Sequence, residues 1–445
     1  MDSQMRSAIT ELPAWMRNAV RVIGSDTELN EGIEFMSTRS GEFDNPLKAL
    51  LTGIGIYRPS RDFLDDVIQE HWENAKVPRS SRLSRDVIVG GGLHAAVFAA
   101  NSSERPLVID RGPRPGGAFA VTQAPTFRLN SRNRPGQLSI PGEGGALNYL
   151  PGAPVQAADL SGDMYVSNDV MGFVVRLCLA LHADVVISEV DKIYPATGSY
   201  RLSDAETSLS CTRPSRMILA TGLGQPKNTT SMTDKHDKVM SFMRFMEHMG
   251  RERFPLKGLK SVAVLGGGDS ARAALESLLG LSASQHWSCA ALDYPFDIDW
   301  WTNQVPSECN AFRTANRTRY GTLAGSIGNK VRVMGQIPTQ FLPVGKDSFQ
   351  VDLRTYDLVV DCTGFTTDEY LTSMGNQTFE NLNVGSMQVG YKFGMVNTIG
   401  PMYLIPFMSK EQSYYSIAEN QTAIFRLAPK TAAFAASVSD GGVTI

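Results

Sequence analysis

Residues 86–92 read DVIVGGG and residues 261–268 read SVAVLGGG. Each is a run of β-branched and other apolar residues that stops at three glycines, and each is followed by an Ala-rich stretch, LHAAVFAA after the first and DSARAAL after the second. A short unbroken apolar run bounded by glycine is a strand buried on both faces of a parallel sheet, and the Ala-rich stretch that follows is a helix. A tight turn between them leaves the first N–H groups of the helix without partners inside the helix and pointing outward. Such a spot attracts a pyrophosphate. The chain holds two units of this kind.

The first unit spells Gly90-Gly91-Gly92-Leu93-His94-Ala95, a G-x-G-x-x-A pattern, and the strand after it, Leu107–Ile109, ends at Asp110. That places a carboxylate close to the interval of about 20 residues at which an acid meets an adenosine ribose. Gly90, Gly92, Ala95, Asp110 and Arg111 are therefore candidate dinucleotide contacts, while His94 reads as a packing or hydrogen-bonding residue. The second unit repeats the pattern with Gly266, Gly268, Asp269, Ser270 and Ala271. Its following strand is predicted over Ser288–Leu292, ending at Asp293. A carboxylate there would repel a 2′-phosphate, whereas Arg313, Arg317 and Arg319 further along would clamp one. The balance favours NADPH, with NADH as the other option.

Two further segments, Met217–Gly222 (MILATG) and Leu358–Gly364 (LVVDCTG), are short strands ending in Thr-Gly. With the glycine turns they resemble the flavoproteins that carry two dinucleotide-binding domains, and the stretch GGGDSARAALE resembles the nicotinamide half of the thioredoxin-reductase-like and flavin-monooxygenase-like members. In that family such Thr-Gly strands pass the chain between domains. Met395–Pro401 (MVNTIGP) resembles the family's terminal strand, and Ser416–Leu427 resembles the helix whose start faces the flavin pyrimidine and stabilises its charge on reduction. The order of these signatures matches the family from about residue 85 to about residue 430.

The resemblance implies an α/β fold: a Rossmann-like FAD-binding domain over 85–225 and 358–445, a Rossmann-like NAD(P)-binding domain inserted at 226–357, and a helical N-terminal extension at 1–84. FAD and NADPH are the implied cofactors. Gly117 of the Gly116-Gly117 pair, Gly222, Gly364 and Gly400 are implied cofactor neighbours. The segment Phe127–Pro135 (FRLNSRNRP) is expected to form a loop at the isoalloxazine, which makes Asn130 and Arg132 the candidates nearest the chemistry. The Pro- and Gly-rich stretch Pro135–Pro154 is expected to be a long ordered loop, and the Trp300-Trp301 pair to be core.

Within the family the chain is most similar to the class B flavin-dependent monooxygenases. That resemblance implies a flavin reduced by NAD(P)H which passes dioxygen, through a flavin hydroperoxide, to a small organic substrate. The alternatives are a reductase or dehydrogenase without productive oxygen transfer, and a regulatory protein that binds dinucleotide without catalysis. Disulfide reductases of similar fold carry a cysteine pair beside the flavin, and Cys178, Cys211, Cys289, Cys309 and Cys362 include no such pair. The class B members also carry F-x-G-x-x-x-H before the second glycine turn, where this chain has SFMRFMEH at 241–248. Phe242 and His248 fall in comparable places without the glycine.

Composition sets the outer limits. With 42% apolar and 20% charged residues in 445, the chain has the make-up of a folded globular protein. A net charge of −3 supplies no field for a phosphate backbone, so nucleic acid is not an expected partner. The cysteines and histidines lack metal-ligand spacing, so no metal is expected. Arg176, His182 and Asp184 interrupt the most apolar stretch, Val170–Ile187, and charges break up the first 20 residues, so neither a membrane span nor a secretory signal is expected. The reading is a cytoplasmic enzyme compatible with a homo-oligomer.

Overall fold

The structure is a computed structural model that describes residues 3–23, 47, 50, 51, 54, 55, 58–78, 82–100, 102, 104–120, 128–132, 165–194, 199–203, 212, 214, 217–220, 225, 226, 233–250, 258–280, 296–303, 321–338, 342–344, 348–351, 354–366, 394–398 and 400–404. The segments Pro135–Pro154 and Ser416–Leu427 lie outside them. The chain forms two compact units, the first drawn from 1–120, 129–222 and 371–445, the second from 121–128 and 223–370.

In the first unit, α1 (Ser3–Glu11), α2 (Ala14–Ile23) and α3 (Arg58–Glu73) precede the first glycine turn. Met16, Ala19, Val20 and Ile23 form a buried stripe along α2 at helical spacing. Then come β1 (Val87–Val89), α4 (Leu93–Ala100), β2 (Leu107–Asp110), β3 (Arg128–Arg132), β4 (Tyr165–Ser167), α5 (Asn168–His182), β5 (Asp184–Ile187) and β6 (Met217–Leu219). The main sheet runs from the strands Gly394–Thr398 and Gly400–Leu404 through β6, β1 and β2 to β5. All neighbours are parallel except the first pair. The glycine-bearing β1 is thus flanked by the strand that follows it and by one that arrives later, the 3-2-1-4 order of a dinucleotide-binding half.

Two expectations change here. Arg128–Arg132 is a strand paired with β4 rather than a loop. Its polar composition hides a pairing whose partner lies far along the chain. Met395–Pro401 is not one strand: it takes in the end of the strand Gly394–Thr398 and the start of the strand Gly400–Leu404, which pair antiparallel with Thr398 opposite Gly400.

The second unit contains β7 (Val239–Ser241), α6 (Phe242–Gly250), β8 (Ser261–Leu265), α7 (Asp269–Leu278), β9 (Asp297–Trp301), β10 (Val331–Gly335), β11 (Leu342–Val344), β12 (Ser348–Val351), β13 (Arg354–Tyr356) and β14 (Leu358–Asp361). The five parallel strands run β7-β14-β8-β9-β10. Alternate residues of the sheet feed two separate cores. Val262, Val264, Ile298, Trp300 and Val360 pack with α6 and α7, while Ala263, Leu265, Trp301 and Val359 pack with Phe349, Val351 and Tyr356 of the β11–β13 meander. Trp300 and Trp301 are both core, one on each face. The strand Leu358–Asp361 belongs to this sheet and to this unit, so the second Thr-Gly strand lies before the return to the first unit, not after it.

The strand that follows the second glycine turn is β9, in register from Ser261 opposite Asp297 to Leu265 opposite Trp301. This corrects the expected Ser288–Leu292, which lies outside the described residues. DIDWW alternates acid with apolar residues and reads as a surface segment, yet Asp299 is buried. Its carboxylate accepts from Arg332 Nε at 2.7 Å, Arg354 Nη1 at 3.0 Å and Tyr356 Oη at 2.7 Å. Those partners come from β10 and β13, both later in the chain, and they satisfy the buried charge.

Gly172, on α5, marks a close approach in the first unit, since a Cβ there would lie 2.4 Å from the Phe119 carbonyl oxygen. Backbone on both sides leaves little to give. Gly172→Ala is expected to lower stability by about 1–3 kcal/mol, read as a drop in the denaturant or thermal midpoint.

Candidate functional site

The two glycine turns are closed by the same pair of hydrogen bonds. In the first unit the Gly90 N–H donates to the Ile109 carbonyl at 2.8 Å, and the Ala220 N–H donates to the Val89 carbonyl at 2.8 Å. In the second, the Gly266 N–H donates to the Trp301 carbonyl at 2.8 Å, and the Cys362 N–H donates to the Leu265 carbonyl at 2.8 Å. Each turn therefore sits between the end of the next strand and the end of a Thr-Gly strand. The equivalences that follow are Gly90 with Gly266, Asp110 with Thr302, and Ala220 with Cys362.

The glycines in each turn have separable reasons. Gly266 has φ +116°, and a Cβ there would lie 2.3 Å from the Cys362 carbonyl oxygen, so the turn itself requires glycine. Gly268 is different: its φ is −93° and a Cβ would meet nothing within 4 Å. It is also the N-cap of α7, and no side chain caps that helix from there. Among the described residues only the N-cap preference favours glycine at this position, and a phosphate resting on the N–H groups of the helix start would call for it more strongly. The chemistry of the donor set and the open space fit a dinucleotide.

The first turn is built on a second glycine pair. The Gly116 N–H donates to the Gly91 carbonyl at 2.8 Å, and a Cβ on Gly117 would lie 3.0 Å from Gly92 Cα. The loop and the turn are thus in backbone contact, and Gly117 itself is exposed. Asp110 ties both to the sheet: Oδ2 accepts from the Gly91 N–H at 2.5 Å and Oδ1 from the Gly112 N–H at 2.8 Å. Burial pushes the Asp110 carboxyl above the usual range, and the two N–H bonds and Arg111 oppose that. An ionised carboxylate has lone pairs left for a ribose hydroxyl after these two bonds. Arg111 is exposed and Ala95 is buried in α4.

At the second Thr-Gly strand the buried Asp361 holds Thr363 by its N–H at 3.1 Å and Oγ1 at 2.6 Å, and accepts from Thr233 Oγ1 at 2.9 Å. The D-x-T spacing is a local signal of such a turn that the sequence reading passed over. Gly364 follows with φ +109° and open space where a Cβ would stand. Ser270 is partly buried at the start of α7. Asn130 and Arg132 lie on β3 and Gly400 begins the last strand of the hairpin. Their side-chain surroundings, and those of His94 and Asp269, lie outside the described residues. So do Gly222, Asp293, Arg313 and Arg317.

Burial pushes the Cys178 thiol up to about 12 and the Cys362 thiol well above its ordinary value. Neither is a ready thiolate. Among the described residues, no group of His, Cys, Asp and Glu is arranged to hold a metal ion, and no helix is long and apolar enough to cross a membrane.

The glycine geometry separates two substitutions. Gly266→Ala is expected to unfold or strongly destabilise the second unit. Gly268→Ala is expected to cost no more than about 1 kcal/mol of stability, the loss of a glycine N-cap, while weakening nicotinamide-dinucleotide binding, measured by titration calorimetry.

No family model and no curated protein matches the sequence. Solved structures do. A double mutant of a flavin monooxygenase from Stenotrophomonas maltophilia aligns with TM-score 0.52 at 15% identity, over 81% of this chain and 100% of that one. An ornithine N-hydroxylase from Kutzneria sp. 744, solved with reduced FAD, NADP+ and L-ornithine, aligns with TM-score 0.52 at 12% identity, over 80% of this chain and 100% of that one. The chain shares the Rossmann-like α/β fold of these flavoproteins.

Proposed function

We propose that the protein is a flavin-dependent NAD(P)H oxidoreductase of the monooxygenase type, holding FAD at the first glycine turn and NADPH at the second. The observation that carries this reading is the duplicated hydrogen-bond frame around Gly90 and Gly266, with Gly268 at the helix start facing open space in which a ligand could lie close. The fold shared with the two flavoproteins supports it, as does the place of the second unit between two stretches of the first. In this reading the second unit is an inserted nicotinamide domain.

This chain's own residues bind and orient. Gly90, Gly92 and the start of α4 would receive the FAD pyrophosphate, with Asp110 on the adenosine ribose. Gly266, Gly268 and Ser270 at the start of α7 would receive the NADPH pyrophosphate. Bound FAD supplies the hydride acceptor and the oxygen chemistry, so no protein nucleophile is required. The substrate is a small organic molecule.

The correction at β9 bears on cofactor choice. The residue equivalent to Asp110 is Thr302, whose N–H donates to the Gly335 carbonyl at 2.9 Å. A neutral hydroxyl residue there removes the repulsion that a carboxylate would exert on a 2′-phosphate. NADPH is accordingly favoured over NADH.

Purified protein is expected to be yellow, with FAD released on denaturation. NADPH should bleach the flavin anaerobically faster than NADH. With a substrate present, oxygen uptake should match product with little peroxide. A colourless protein that binds dinucleotide, or turnover confined to an anaerobic electron acceptor, overturns the monooxygenase reading. Thr302→Asp is expected to weaken NADPH at least about tenfold relative to NADH, read as KM for each in flavin reduction.

A further inference from the structure

Helix α3 lies in the N-terminal segment, outside the part of the chain that resembles the flavoprotein family, yet it is bonded to the loop on which the first glycine turn rests. Asp65 of α3 is 5% exposed. Its two carboxylate oxygens accept from Arg176 of α5 in a fork, Oδ1 from Nε at 2.6 Å and Oδ2 from Nη2 at 2.6 Å. Oδ2 also accepts from Arg114 of the loop. Gln69, one turn further along α3, donates from Nε2 to the Pro113 carbonyl at 2.5 Å, and Arg176 Nη1 reaches the Pro115 carbonyl at 3.5 Å. Arg61 fastens the start of α3 to α5 through Asp169 at 3.0 Å.

These bonds converge on residues 113–115, immediately before the glycine pair in contact with Gly91 and Gly92. The Arg176 guanidinium stands where a Gly116 side chain would be, 3.1 Å from such a Cβ. A loop with successive glycines loses much freedom on being fixed, on the order of 1–2 kcal/mol for each residue. Unless the protein has already ordered it, binding must do so.

We propose that α3 is a positioning element for the flavin cup: Asp65, acting through Arg176 and Arg114, together with Gln69, holds residues 112–117 in the conformation that receives the FAD pyrophosphate. This rests on the assignment of FAD to the first turn. The coupling is reciprocal, so FAD also stabilises the docking of α3.

The test uses the full chain, stripped of flavin and titrated with FAD by quenching of flavin fluorescence. Arg114 and Gln69 lie at the surface end of the network, so Arg114→Gln and Gln69→Ala are expected to keep the wild-type apoprotein melting midpoint. Arg114→Gln should raise the FAD Kd about tenfold, equivalent to one ordered residue, and Arg114→Lys should restore most of the affinity. Asp65→Asn should weaken FAD further; because its buried partner is then uncompensated, it is read beside its own melting curve. In wild type, FAD should slow hydrogen exchange across residues 58–73 as well as at the glycine turn. Wild-type FAD affinity in both surface variants, or protection of the turn without protection of 58–73, overturns the proposal. A wild-type chain that takes up no FAD at all overturns the cofactor assignment instead, before any variant is compared, and the clamp falls with it.

Discussion

A single backbone N–H, that of the first glycine in each turn, fixes the geometry on which the rest depends. It cannot enter the following helix, and left buried without a partner it would cost about 1–3 kcal/mol. It is donated sideways to a carbonyl at the end of the next strand, that of Ile109 for Gly90 and of Trp301 for Gly266. The bond keeps the peptide before the glycine in the sheet ladder, the positive φ after it turns the chain out of the sheet, and the helix that follows starts beside the ends of both neighbouring strands. Pairing on both sides puts β1 and β8 in the middle of their sheets, and this bond with its repeat fixes where each chain leaves the sheet and the helix begins.

The same frame shows where the two units part. Asp110 and Thr302 occupy equivalent positions, and the carboxylate in the first unit holds Gly91 and Gly112 by their N–H groups. In the second unit the rigidifying carboxylate is on the opposite neighbour, where Asp361 pins Thr363. In the first unit the carboxylate braces the glycine turn itself, and in the second it braces the end of the Thr-Gly strand beside the turn. In the proposed reading, the first unit puts the Asp110 carboxylate where an adenosine ribose would lie, and the second unit puts Thr302, a neutral residue, at the equivalent place. That difference suits FAD, whose adenosine ribose is unphosphorylated, in the first unit and NADPH, whose adenosine ribose carries a 2′-phosphate, in the second.

How much of this could be read beforehand depended on how local the controlling interaction was. The glycine turns were legible because backbone sterics require glycine at Gly90 and Gly266 and because β-branched runs such as DVIV and SVAVL are buried strands in any context. The second strand of the second unit was misplaced because its identity depends on distant partners. Asp299 looks like a surface residue until Arg332, Arg354 and Tyr356 are folded onto it. Arg128–Arg132 failed for a related reason, since its polar side chains carry no strand signal and its pairing comes from Tyr165–Ser167. The separation of the two tryptophans onto opposite faces, by contrast, is what strand periodicity dictates.

The Asp65–Arg176 pair could not be read from sequence at all, being 111 residues apart, and its energetics show why it is more than packing. A buried ion pair seldom stabilises a fold more than well-packed apolar residues would, because both charges lose their water. Its asymmetry is the useful property: with both partners present and hydrogen-bonded it is tolerated, and with either displaced the other is left charged in a buried site. An apolar contact between α3 and α5 would tolerate sliding, whereas a forked guanidinium–carboxylate contact permits one register. Because the same Asp65 also accepts from Arg114, that register is transmitted to the loop under the glycine turn. The N-terminal segment thereby constrains a backbone that lies beyond its own helix, with a precision that apolar packing alone would not supply.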